Sequence, residues 1–215
     1  ADLKEAKELL SAEKTLRLEG SQRQYRFNYH AVNALLARVY CYANDAPNAI
    51  ACAQDVIDHC GLELSSNNLD DPILFSECLC AVNMYQMSKT LSSHWADGEK
   101  YTSQYFIRSD KYFEVSGSTR EDMRTKSTAF YEHAATKMAL SRKYNTNAKE
   151  VIPLIRLPEM YYILCEMTAD LNQAAKYLNA VRNKRGYSKS LNERFTTEAS
   201  RLTALDKEFR KEFYA

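Results

Sequence analysis

The stretch 149–186, KEVIPLIRLPEMYYILCEMTADLNQAAKYLNAVRNKRG, constrains the fold more than any other part of the chain. Pro158 suits a first helical turn, where its missing N–H removes a donor that would have no helical partner anyway. Behind it, Met160, Tyr161, Ile163, Leu164 and Met167 form a broad apolar face at helical spacing. A second block turns Ala174, Ala175, Leu178 and Val181 inward, and Gly186 stands where a helix usually stops. The segment therefore reads as an αα-hairpin.

Residues 28–60 repeat the pattern. Val32, Leu35, Leu36, Val39 and Tyr40 recur at helical spacing, Asp45 can cap the next helix, and Pro47 is tolerated in its first turn. Ile50, Ala53, Val56 and Ile57 then point inward as far as Gly61. Ala37, Tyr40, Ala49 and Ala53 are the small and aromatic positions that a tetratricopeptide-like hairpin packs with. The two units keep no fixed repeat period, so a regular solenoid is not expected. With 5 Gly and 4 Pro in 215 residues, tight turns are few and long helices are favoured over a strand-rich sandwich.

The remaining segments are less uniform. Asp2 with Glu5 makes a capping-box-like start to a first helix on Leu3, Ala6, Leu9 and Leu10. The Ser, Asn and Asp clusters of 62–72 read as a loop. The apolar run 73–87 fits a helix or a buried strand, and we read it as helix; 130–140 fits either. The last segment, 195–214, reads as an amphipathic helix with Leu202, Leu205, Phe209 and Phe213 on its apolar face. Residues 92–128 form an irregular, polar excursion carrying Trp95, Tyr101, Tyr105, Phe106, Tyr112 and Phe113. The expected fold class is mainly α: helical hairpins, irregular loops and at most short strands near 92–128 and 139–144, in one domain over 1–215.

Composition narrows the function. Lys+Arg 29 against Asp+Glu 28 leaves a net charge of +1, which gives no electrostatic ground for nucleic-acid binding. No apolar run is long enough for a bilayer, and ADLKEAKELL lacks the basic head and apolar run of a signal peptide. Of the six cysteines, Cys41, Cys52 and Cys165 sit in apolar helical neighbourhoods, where a free thiol acts as a small hydrophobe. Cys78 and Cys80 lack zinc spacing, and a helix would turn them to different faces. His30, His59, His94 and His133 are scattered, Asp70-Asp71 before Pro72 reads as turn chemistry, and no glycine-rich phosphate loop is present. The chain is expected to have no catalytic residue, no metal and no cofactor.

Two sets of residues resemble a known family. Ile-Pro-Leu-Ile-Arg-Leu-Pro-Glu-Met-Tyr at 152–161, followed by Leu-Asn-x-Val-Arg-x-x-Arg-Gly at 178–186, is similar to the C-terminal signature of the SusD/RagB family. Arg26-Phe27-Asn28, the helix ending Ala37-Arg38-Val39-Tyr40, and the later Val56-Ile57 pair resemble that family's middle region in the same order. Between them, Asp122-Met123-Arg124 resembles its Asp-x-Arg step, and 141–144 its lysine-rich strand. The resemblance implies an outer-membrane, surface-exposed lipoprotein of Bacteroidota that binds a glycan or other oligomeric nutrient. Its partner would be a SusC-like TonB-dependent transporter, with the membrane reached only through a lipid anchor outside this chain. It also implies a middle-to-C-terminal portion of a longer parent. A helical-repeat scaffold binding a protein or peptide alone is the alternative.

A flat aromatic ring beside hydrogen-bonding groups suits the apolar faces and polar edges of sugars. Trp95 is the single tryptophan, and Tyr101, Tyr105 and Arg108 follow it in the same excursion. These four are the expected ligand-binding residues, against the simpler possibility that they pin the excursion to the helical body.

Overall fold

A computed structural model of the chain describes residues 2–66, 71–87, 89–91, 106–107, 122–125, 129–132, 139–144 and 150–214. Helix α1 (Asp2–Leu9) precedes α2 (Tyr29–Tyr42) and α3 (Ala46–His59). Strands β1 (Cys78–Asn83), β2 (Phe106–Ile107), β3 (Phe130–Glu132), β4 (Ala139–Ser141) and β5 (Val151–Arg156) follow. Helices α4 (Leu157–Met167), α5 (Leu171–Lys184) and α6 (Glu198–Phe213) complete the order. The mainly α class and both hairpins stand as the sequence implies. Among the described residues, no helix is long and apolar enough to cross a membrane.

Local chemistry sets the hairpin boundaries. The Asn28 side chain accepts from Ala31 N at 3.0 Å to cap α2. Asn44, at φ 56, supplies the left-handed residue between α2 and α3, a conformation asparagine tolerates better than most. Asp45 caps α3, and Asp170 caps α5 by accepting from Asn172 N at 2.8 Å and Gln173 N at 3.3 Å. Gly61 (φ 73) and Gly186 (φ 101) lie just past the ends of α3 and α5, in the backbone region that a Cβ disfavours.

Small residues bring the helices together. Ala37, Ala49 and Ala53 are completely buried where α2 meets α3, and Ala174 where α5 enters the core. Helix α3 packs on both α2 and α4, and α4 on α5 and α6, so the hairpins share one apolar cluster. Val56, Met160, Ile163, Leu164, Leu178 and Val181 are among its residues. Burial of such side chains contributes about 1.5–3 kcal/mol each.

Three expectations need correction. Residues 73–87 are not a helix: a 3-10 turn at Phe75–Glu77 leads into β1, which pairs antiparallel with β5 from Cys78↔Arg156 to Asn83↔Val151. A continuously buried apolar run has no periodicity to separate strand from helix, and here a partner strand distant in sequence decides. That partner, β5, is itself a strand beyond those expected, and it runs directly into α4. Cys78 and Cys80 therefore lie on a strand; all six cysteines are free thiols, and burial pushes the Cys78 thiol up to about 12. In the second sheet, ordered β2-β4-β3, β2 and β4 fall where short strands were expected, and β3 lies in 130–140, which fitted helix or strand alike.

The third correction concerns α6. Leu205 is buried, but Leu202 is 45% exposed and Phe213 37%. The inner face instead carries Arg201, Glu208, Lys211 and Glu212.

Asn28 joins helix, turn and sheet. Besides capping α2, its amide donates to the carbonyls of Leu79 (2.9 Å), Arg23 (3.1 Å) and Arg26 (3.2 Å). Asn28→Ala removes the cap and leaves buried carbonyls unsatisfied, so a loss of about 2–4 kcal/mol is expected in urea unfolding. A loss no larger than that of an ordinary surface substitution would show that these bonds are replaced by others.

Candidate functional site

The most concentrated chemistry among the described residues is a buried ionic cluster. Arg185, fully buried, donates to both Glu77 oxygens at 2.7 and 2.8 Å, to both Glu212 oxygens at 2.8 and 3.0 Å, and to the Ser65 carbonyl at 2.7 Å. Arg156 reaches Glu212 at 2.7 Å. Arg124 is clamped by Asp122 and Glu208, each at 2.8 Å, and touches Glu212 at 3.2 Å. Arg182 binds the other Glu208 oxygen at 2.8 Å and lies 4.2 Å over the Tyr187 ring.

Burial alone would push the carboxyls of Glu208 and Glu212 up. The surrounding cations outweigh it: Arg185, Arg156 and Arg124 hold Glu212 well below the usual carboxylate range, and Arg124, Lys211 and Arg182 lower Glu208. These groups bind one another, and Arg124, Arg156, Lys211 and Glu212 also line a small cavity of about 30 Å³. Their arrangement fixes the end of α5, α6, the ends of β1 and β5, and residues 122–125 against each other, a positioning task.

The open surface lies next to this cluster. A cleft of about 680 Å³ is lined by Ile57, Leu62, Tyr161, Ala180, Asn183 and Lys184. A neighbouring cleft of about 540 Å³ is lined by Ser65, Asp71, Phe75 and Ser76, with Gly61, Leu62, Glu63, Leu64 and Lys184 lining both. The segment 61–66 thus lines two adjoining clefts that together form a trough with Gly61–Leu64 as common wall, and Arg17 lies across Gly61, its Nη2 3.4 Å from the Gly61 carbonyl. Tyr161 is half-buried on the core cluster, and burial raises its phenol pKa. Another cleft, of about 570 Å³ along α1, α2 and α3, carries Lys4, Lys7 and Lys14 beside Tyr29 and Tyr40. Among the described residues, no group of three His, Cys, Asp or Glu side chains could hold a metal ion.

Residues 24–215 match the family model of the SusD family. The chain belongs to the SusD family. A SusD superfamily protein from Bacteroides fragilis superposes with a TM-score of 0.71 at 17% identity, over 99% of this chain and 56% of that one. One from Bacteroides thetaiotaomicron gives 0.69 at 22% identity, over 98% and 50%. Surface glycan-binding protein A from Bacteroides thetaiotaomicron, in complex with laminarihexaose, gives 0.66 at 16%, over 97% and 57%. At these identities the likeness is one of fold. The chain spans about half the length of the structures it matches. No curated protein matches it.

The residues that resemble SusD-family landmarks have structural tasks here. Asn28 holds the α2 entry, Asp122 and Arg124 pair in the ionic cluster, and Arg182 and Arg185 enter it from α5. The expected ligand residues Trp95, Tyr101, Tyr105 and Arg108 lie outside the described residues, as do His94 and His133. Only the backbone pairing of β2, between Tyr105 and Arg108 in sequence, is described: Phe106↔Leu140 and Ile107↔Ala139. Sequence reasoning passed over the trough. One of its two aromatic residues, Tyr161, sits in an apolar helical run and is indistinguishable there from core; Asn183 and Lys184 look like an ordinary helix end.

Proposed function

We infer that this SusD-family chain is part of a non-catalytic nutrient-binding protein of the outer-membrane surface. It captures a glycan and passes it to a SusC-like TonB-dependent transporter, and a lipid anchor holds it to the membrane. The observation that carries this reading is the family match over residues 24–215, supported by a fold shared with a surface glycan-binding protein in complex with laminarihexaose. Among the described residues, the buried carboxylates Glu77, Glu208 and Glu212 are held by arginines, a structural task. Residues 1–215 would act as one helical domain, with 92–128 as an excursion carrying Trp95, Tyr101, Tyr105 and Arg108 to the ligand.

A glycan array on the full-length parent tests the function, and Trp95→Ala tests the site. Loss of one stacking platform should weaken glycan binding about tenfold, with the far-UV helical signal and Tm nearly unchanged. Unaltered affinity, or unfolding, would remove Trp95 from the site. An empty array together with tight binding of a peptide would favour the scaffold reading instead.

A further inference from the structure

We propose that the trough along residues 61–66 is a binding groove for a neutral glycan chain, with Asp71 and Asn183 accepting sugar hydroxyls at its two ends. This rests on the glycan-binding reading above and names a surface separate from 92–128. Shape is the first support. Two clefts of about 540 and 680 Å³ share a common wall, which gives an elongated depression suited to several sugar units more than to one small molecule.

Unmet hydrogen-bonding capacity is the second. Asp71 Oδ1 and Asn183 Oδ1 are both buried without a partner among the described residues, and each belongs to the wall of one of the two clefts. A folded protein leaves few such acceptors unsatisfied, and each asks for an explanation. Rotation of a terminal carboxylate or amide about its last torsion is soft, so either oxygen can turn onto the trough. A hydroxyl is the matching donor, because it can rotate its hydrogen to the acceptor and accept in turn. Lys184 is exposed and enters no ion pair among the described residues, so its ammonium can donate from the shared wall. Half-buried Tyr161 contributes an aromatic ring, with Ile57 and Ala180 beside it, to meet the C–H face of a pyranose.

Charge selects the class of sugar. Glu19, Asp58, Glu63 and Asp71 line the trough against Arg17 and Lys184. Arg17 is already 3.6 Å from Glu19. The excess of carboxylates disfavours uronate or sulfated chains and admits neutral ones.

The test uses the isotope-labelled chain and amide-shift mapping. Methyl glycosides of glucose, galactose, mannose and xylose serve as probes, with a galacturonate oligomer as the anionic comparison. Shifts from at least one neutral probe should centre on Tyr161, Asn183, Lys184 and Asp71, and the galacturonate oligomer should produce less than a fifth of that response. Asn183→Ala and Lys184→Ala should each weaken the neutral probe about five-fold. Because Asn183 Oδ1 has no partner to lose, Asn183→Ala should leave Tm unchanged or raise it. Absence of shifts across the whole panel, shifts centred elsewhere, or an Asn183→Ala variant that binds normally would overturn the groove. A parent that binds glycan on the array while these variants have no effect would sink the groove and keep the function. Trough shifts with an empty array would do the reverse.

Discussion

Arg185→Ala is expected to lower the unfolding free energy by about 3–5 kcal/mol and to shift the urea midpoint accordingly. Arg185 is fully buried and is the common partner of Glu77 and Glu212, which sit on different elements. Its removal leaves carboxylates in a low-dielectric site with fewer cations, and that buried, uncompensated charge, more than the lost attraction, sets the size of the effect. Arg185→Lys should recover little. Glu77 and Glu212 each receive a two-pronged contact from one planar fork, and an ammonium on a flexible stem cannot reproduce both. Recovery to within about 1 kcal/mol by lysine would mean that net charge alone matters here.

The hairpins were legible because every local signal agreed. Asp45 and Asp170 cap, Pro47 and Pro158 sit in first turns, Gly61 and Gly186 terminate, and the alanines fall where helices must approach closely. Local consistency of that kind is what periodicity reads. Strands β1 and β5 were hidden for the opposite reason: each is justified only by the other, across a long sequence separation, and neither alternates.

The inner face of α6 was hidden more deeply. Glu208 and Glu212 look like solvent-facing residues of an amphipathic helix until Arg124, Arg156, Arg182 and Arg185 arrive from other parts of the chain. A buried charge is tolerable only with its partners, and the partners are a tertiary fact. Tyr161 illustrates the same limit at the site. Periodicity places it among apolar neighbours, and only the trough beside segment 61–66 gives its ring an outward face.

The same cluster makes stability fall in acid, and the sign follows from direction alone. Glu208 and Glu212 have folded-state pKa values below their ordinary value of 4.5. The unfolded chain therefore takes up protons first as pH drops. The stabilisation is complete above the unfolded value and is lost progressively below it, towards the lower folded value. Thermal melts should show a nearly constant Tm from pH 7 to 5 and a steepening decline below about pH 4.5. Glu212→Gln separates this site from the other carboxylates. At pH 7 it should be several kcal/mol less stable, since Arg185, Arg156 and Arg124 lose the anion they share. Below about pH 4 the gap from the parent chain should close by up to about 1.4 kcal/mol per pH unit, because the unfolded parent chain takes up a proton at Glu212 that the glutamine variant cannot. A gap that stays constant down to pH 3 would show that Glu212 titrates alike in both states and that the arginines do not hold its charge.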